Sequence, residues 1–314
     1  MKILVFGLGA LGTVYSCLLK EKEHEVLGID HETVAAVIGN KGVKINGIWG
    51  EHEVHLDKVA SSLKDLDTRD LDLIILTVKS YETANAVKQL QGLVSSNTYL
   101  LLAQNGYGNF EAAAASIPEE KIIVARVIFG AETVEAGFSR VTVIADDVIL
   151  GSPANLIASR VLEKFARVFS DAGIPTRTSE EIMKYIWGKI IYNSALNPLG
   201  AILEVNYGKL AETERSRKIM DDIVTEIFAV LSAAKQETMW PDAQSYLKDF
   251  YAQMIPSTAS HHSSMLQDIQ RGRKTEIDAL NGAVVELGKK YGVGTPANAL
   301  IYSLLKTKEE LLLR

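Results

Sequence analysis

A chain of 314 residues is long enough for two domains, each with a core of its own. Its 33 basic and 39 acidic residues leave a net charge of −6 with no long run of either sign, which argues against nucleic acid or an anionic membrane as a partner. The single cysteine, Cys17, excludes an internal disulfide and fits a reducing compartment, and no run of about 18 apolar residues offers a membrane span. A soluble, cytoplasmic protein is expected.

KILVF at the N-terminus is a short apolar run stopped by glycine, predicted as a buried strand, and ALGTVYSCLLKEKEH after it has helical periodicity. The same stretch has the outline of a lipoprotein leader, but its glycine spacing, taken up below, accounts for it better. HEVLGID is a second strand. GVKINGIWGEHEVHL alternates around Asn46-Gly47 and Gly50 and reads as a hairpin. LDLIILTV is a strand ending before Lys79, with a helix from Ser80, and NTYLLLAQNGYGN is a strand running into a glycine loop. KIIVARVIFGAETV and GFSRVTVIADDVILGS are β-rich and joined by Glu135-Ala136-Gly137.

Strands separated by helices imply βαβ units and a mostly parallel sheet. Beyond Ser179 the character changes to successive helical patterns, and DAGIPTRTSEE, with Gly173 and Pro175, supplies the break. The expected fold class is α/β: a doubly wound domain over residues 1–176, then an all-helical domain over 177–314.

GLGALG places Gly7, Gly9 and Gly12 directly after a strand and at the opening of a helix. In that context the first glycine permits the tight turn, the second lets backbone approach a pyrophosphate, and the third lets helix and strand pack closely. Gly7, Leu8, Gly9, Ala10, Leu11 and Gly12 are therefore candidate cofactor-binding residues, with N–H groups of the helix start facing phosphate. Asp30 closes the next strand, where a carboxylate accepts hydrogen bonds from an adenosine ribose and repels a 2′-phosphate, favouring NAD(H). The plainer reading of Asp30 is a cap on the following turn.

WGKIIYNSALNP carries Lys189, Asn193 and Asn197 at steps of four, which on a helix form one narrow polar stripe. Trp187, Ile190, Ile191, Leu196, Leu199 and Leu203 surround it, the pattern of a buried helix. An ammonium and two amides in apolar packing need polar partners, either elsewhere in the protein or on a ligand. Pro198 is expected to kink this helix.

Together GLGALG, LTVKSYE, LLAQNGYGN, WGKIIYNSALNPLGAI and SSMLQDIQRGRKTEIDALNG resemble the ketopantoate reductase family over essentially the whole chain. The resemblance implies a Rossmann-type N-terminal domain, a helical domain, and hydride transfer from a reduced nicotinamide to the 2-keto carbon of ketopantoate, giving D-pantoate for coenzyme A biosynthesis. It implies that Lys189 is the general acid, a role suited to a lysine in a desolvated pocket. It further implies that Asn193 and Asn197 bind the substrate's hydroxyl end in a cleft between domains, that Ser264 binds its carboxylate, and that Asn105 lies near nicotinamide and substrate. Lys79 corresponds to a cofactor-binding lysine, and Glu276 to a glutamate beside the catalytic lysine and the nicotinamide ribose.

Read alone, Ser264 with Gln267 is a capping box, and Thr275 caps a helix with Glu276 in its first turn and Asp278 at the third position. His261 and His262 read as surface residues. No cluster has metal spacing, and the chemistry needs none. The family resemblance implies NADP(H), but Asp30 and His31 stand where a basic residue commonly pairs with the 2′-phosphate, and Glu82 follows Lys79, so NAD(H) is favoured. The expected partner is a small-molecule 2-keto acid, with a homodimer as the assembly considered. A D-2-hydroxy acid dehydrogenase on the same fold is the first alternative, and a non-catalytic dinucleotide-binding regulator the remote one.

Overall fold

A computed structural model describes residues 1–312. Contacts divide them into two units: Met1–Gln104 with Asn109–Ile182, and Asn105–Gly108 with Met183 onward.

The first unit holds strands β1 (Lys2–Phe6), β2 (Glu25–Ile29), β3 (Val43–Gly47), β4 (His52–Val54), β5 (Lys58–Ala60), β6 (Leu73–Leu76), β7 (Tyr99–Leu102), β8 (Ile122–Arg126), β9 (Phe129–Glu135), β10 (Phe138–Ile144), β11 (Val148–Gly151) and β12 (Thr176–Thr178). Its helices are α1 (Ala10–Glu21), α2 (Glu32–Lys41), α3 (Thr83–Leu90), α4 (Asn109–Ala114) and α5 (Ser159–Asp171). The main sheet has the order β12-β11-β8-β7-β6-β1-β2-β5 and is parallel except for the β11–β8 pair. Its central strands are continuous apolar runs such as LIIL, every residue buried, as a sheet covered on both faces requires. From β1 the order runs outward in both directions, so the carboxyl ends of β1 and β6 flank the topological switch point where doubly wound sheets bind ligands.

The expected hairpin exists as β3 and β4, within a second sheet of order β4-β3-β10-β9. Its turn runs from Gly47 to Gly50, within the expected stretch, with Gly50 N donating to Gly47 O at 3.1 Å, while Asn46 and Gly47 close β3, paired with Arg140 and Val141 of β10. Gly47 sits at φ +111°, and a Cβ there would meet the Val141 carbonyl oxygen at 2.0 Å. Close approach of β10 is thus the reason for this glycine. Thr176–Thr178 extends the main sheet, and the contact boundary falls at Ile182/Met183.

Among the described residues the second unit has helices joined by loops and no strand: α6 (Ile182–Leu203), α7 (Tyr207–Leu210), α8 (Glu214–Ala233), α9 (Ala243–Asp249), α10 (Ile255–Ser257), α11 (Ser264–Gln270), α12 (Asn281–Tyr291) and α13 (Pro296–Leu312). Helix α6 is buried over most of its length, although Leu203, expected in its apolar surround, is 52 % exposed. Pro198 lies inside α6, which continues past it to Leu203. Proline lacks the N–H that would bond to the carbonyl of Ser194, and the buried Asn281 amide takes that place, its Nδ2 donating to Ser194 O at 3.1 Å. Asn281 Nδ2 also donates to Asn298 Oδ1, and Asn298 Nδ2 to Glu226. The Glu226 carboxylate accepts from the backbone N–H groups of Ala297 and Asn298, capping α13 with charge of the sign a helix start favours.

Candidate functional site

At the end of β1 the chain turns through Gly7 at φ +100°, where a Cβ would lie 2.9 Å from Val78 N. A Cβ on Gly12 would fall 1.8 Å from Gly7 O. Both glycines are therefore demanded by the protein's own packing. Gly9 is different: a Cβ there meets no protein atom within 4 Å. Gly9 is also the N-cap of α1, with no side-chain cap and no acidic residue in the first turn, and Thr13 makes the first helical bond, to Gly9 O at 2.9 Å. The N–H groups of Ala10, Leu11 and Gly12 precede that first bond and have no intrahelical acceptor.

The loop is held from both neighbouring strands. Gly7 N donates to Ile29 O at 2.8 Å, and the Thr77 hydroxyl donates to Gly7 O. Leu8 is buried, and its N–H donates to Asp30 Oδ2 at 2.5 Å while Asp30 Oδ1 accepts from His31 N at 2.7 Å. The carboxylate thus bonds the next residue and is fixed against the glycine loop, but it does not cap α2, whose N-cap is His31 with no side-chain cap. Leu8 is committed to that contact through its main chain. Half-buried Lys79 precedes a single tight turn, Ser80–Glu82, and α3 follows. Gln104 steadies this segment, its Nε2 donating to Val78 O at 2.8 Å and to Thr83 Oγ1 at 2.7 Å. Thr77 and Gln104 escaped the sequence reading, because neither makes a pattern with its chain neighbours.

In the second unit Lys189, Asn193 and Asn197 share one side of α6, with Lys189 half-buried and the two asparagines 8 % and 4 % exposed. Gly188 is small because Trp240 approaches: a Cβ there would meet the indole at 2.9 Å. On the preceding turn the buried Trp187 stacks on Tyr107, ring centres 5.1 Å apart. Tyr107 belongs to the loop Asn105–Gly108, whose Tyr107 N–H donates to Ala279 O at 2.8 Å and whose Gly106 could not carry a Cβ, 2.6 Å from that of Ala279. The loop bearing Asn105, the α6 turn before Lys189 and the segment following Glu276 are therefore packed together. Glu276 is 7 % exposed.

Two corrections concern the ends of helices. The N-cap of α11 is Ser263, not Ser264: its Oγ accepts from Leu266 N at 3.0 Å and donates to Asn197 O at 3.1 Å, and Ser264 is the first helical residue. Register was ambiguous between adjacent serines, and the tertiary partner on α6 decided it. Thr275 does not start a long helix. Its N–H and hydroxyl both donate to Glu309 Oε1 of α13, at 2.7 and 2.5 Å, and only a short turn, Ile277–Ala279, follows. Asp278 is held by Tyr302 at 2.8 Å and Lys306 at 3.3 Å, so the segment carrying Glu276 is moored to α13 on both sides. His262 is exposed as expected, but His261 is half-buried, its ring 5.3 Å from that of Tyr207.

Tyr207 donates its hydroxyl to Asn197 Oδ1 at 2.5 Å. Burial raises the Tyr207 hydroxyl well above the ordinary phenol range, reinforced by nearby Tyr192, whose own hydroxyl burial pushes up to about 12. Among the described residues no group of three His, Cys, Asp or Glu side chains is placed to hold a metal ion, and no helix is long and apolar enough to cross a membrane.

Comparison with known proteins matches residues 3–155 to the family described as ketopantoate reductase PanE/ApbA and residues 181–309 to its C-terminal domain. The chain is 45% identical to a 2-dehydropantoate 2-reductase of Aquifex aeolicus over 98% of this chain and 97% of that protein, and 32% identical to one of Pyrococcus abyssi over 99% of each. Among solved structures it is similar to D-mandelate dehydrogenase with NADH and anilino(oxo)acetate, at TM-score 0.88, 30% identity and 99% coverage of both chains. It is equally similar in fold to a PanE/ApbA family ketopantoate reductase from Ralstonia eutropha, at TM-score 0.88, 27% identity and full coverage of both.

Proposed function

The chain belongs to the ketopantoate reductase family, and on that premise we propose that it reduces the 2-keto group of ketopantoate to give D-pantoate. The observation that carries this reading is the α6 stripe: a lysine and two amides kept in a buried helix, with Asn193 forming no side-chain hydrogen bond to another described residue. A polar side chain is kept in such apolar surroundings where something polar can meet it, and a ligand supplies that partner for Asn193.

A nicotinamide dinucleotide suits the glycine loop, because Gly9 leaves main chain open where the protein's own packing makes no demand on it. When bound it supplies the hydride. Ala10, Leu11 and Gly12 offer N–H groups to its pyrophosphate, and Lys79 adds a positive charge from the end of the β6 segment. Asp30 stands fixed beside the loop, where a ribose 2′-hydroxyl is welcome and a 2′-phosphate is repelled, so NADH is the favoured cofactor over NADPH. The chain's own chemistry is proton management. As the carbonyl carbon is reduced, negative charge develops on its oxygen, and the Lys189 ammonium stabilises it and delivers the proton. Asn193 and Asn197 hold the hydroxyl end of the substrate, Ser264 donates to its carboxylate, and Asn105 and Glu276 order the surroundings of Lys189.

The test is the rate of reduced-nicotinamide oxidation with ketopantoate, 2-ketoisovalerate and phenylglyoxylate, using NADH and NADPH in turn. A preference for ketopantoate is expected, with NADH ahead of NADPH. The likeness to D-mandelate dehydrogenase favours a second reading, a D-2-hydroxy acid dehydrogenase. Preference for phenylglyoxylate would establish it and leave the assignments of Lys189 and the glycine loop standing.

A further inference from the structure

The fold treats the two ends of the Asn197 amide differently. Its Oδ1 accepts from the Tyr207 hydroxyl at 2.5 Å, whereas its Nδ2 donates to no described residue, in a residue only 4 % exposed. A free amide can turn over and offer either a donor or an acceptor. This one is held. If it turned over, the phenol would face Nδ2, a donor, and the bond to Oδ1 would be lost. The phenol stays protonated, since burial raises it well above its ordinary range. It is also immobile: its ring meets Tyr192 edge-on at 5.9 Å, its N–H donates to His261 O at 3.1 Å, and Ser263 Oγ holds the main chain of Asn197.

We infer that Tyr207 is a positioning residue that sets substrate specificity: by occupying Asn197 Oδ1 it leaves Asn197 a donor only, and so selects 2-keto acids whose far end offers an oxygen acceptor. This rests on the reading in which Asn197 meets the substrate's hydroxyl end. The hydroxyl of ketopantoate answers that requirement by accepting from Nδ2, which leaves its own proton for another acceptor such as the Asn193 carbonyl. A 2-keto acid with a hydrocarbon end would leave the Asn197 donor without a partner.

The experiment compares ketopantoate with trimethylpyruvate, the same acid with hydrogen in place of the hydroxyl. The wild-type protein is expected to prefer ketopantoate. In Tyr207→Phe, KM for ketopantoate should rise about tenfold with kcat changed less than about twofold, and kcat/KM for trimethylpyruvate should stay within about twofold. An equal fall on both acids would overturn the proposal, because a merely structural role weakens both. Asn197→Ala separates the two levels. If it keeps the preference for ketopantoate, the hydroxyl is read elsewhere and the underlying reading fails. If it loses the preference while Tyr207→Phe keeps it, the role of Tyr207 alone fails. Should Tyr207→Phe not fold, the methyl ether of ketopantoate decides the matter on the wild-type protein. It retains the acceptor and lacks the proton, so it should be preferred over trimethylpyruvate, and loss of that preference would sink the donor-only assignment.

Discussion

In the first unit the candidate site is made of main chain: Gly7 and Gly12 leave no room for a Cβ, and what the loop offers is the N–H groups opening α1. In the second it is made of side chains on α6, a helix steadied by residues outside it, such as Tyr207, Ser263 and Asn281. The difference teaches how each can fail. A main-chain site breaks when an atom is added, and a side-chain site breaks when a partner is removed.

The sharpest break should come at Lys189. Replacing it with alanine is expected to lower kcat by about 10²–10⁴-fold while the dissociation constant for the reduced cofactor is unchanged. An unaltered kcat would remove it from the chemistry. Next, the glycines should part company. Gly12→Ala, with its Cβ driven into Gly7 O, should destabilise the protein by about 3 kcal/mol and lower Tm accordingly. Gly9→Ala should melt with the wild type and bind the dinucleotide more weakly, and equal Tm losses for the two would contradict their separate reasons.

A smaller effect tests the support of α6. Asn281→Ala leaves the Ser194 carbonyl buried and unpaired, at a cost of about 2 kcal/mol in denaturant unfolding, and kcat should fall with it because the polar stripe straddles that turn. Loss of stability without loss of rate would show that the stripe keeps its geometry unaided. Smallest is the cofactor choice. Asp30→Arg should move the ratio of kcat/KM for NADPH over NADH upward by about tenfold, some 1.4 kcal/mol. No movement would leave Asp30 only its role as a cap for Leu8 and His31.

How much was legible in the sequence follows the same division. The glycine loop could be read because its glycines stand at fixed short steps from one strand end, even though the neighbour that crowds Gly7 is Val78, remote in sequence. The stripe could be read because a helix repeats at fixed spacing, so Lys189, Asn193 and Asn197 declare a common face without any knowledge of what lies opposite. The partners could not. Nothing near Tyr207 in the chain says that its hydroxyl will reach Asn197, and nothing near Glu309 says that it will hold Thr275. Where two local readings competed, as for Ser263 and Ser264, a contact 66 residues away in sequence settled the helix start. The β3–β4 hairpin was legible from Asn46-Gly47 and Gly50, but the close approach of the Val141 carbonyl of β10 to Gly47 was not.

Pro198 adds a consequence in time. The carbonyl it orphans is satisfied by Asn281, 87 residues beyond Ser194 in sequence, so α6 cannot complete its own hydrogen bonding when it first forms. As the chain lengthens on the ribosome, that turn stays hydrated until α12 has been made and docked. Acquisition of activity during refolding should therefore trail the formation of helix, with the stripe among the last parts of the protein to set.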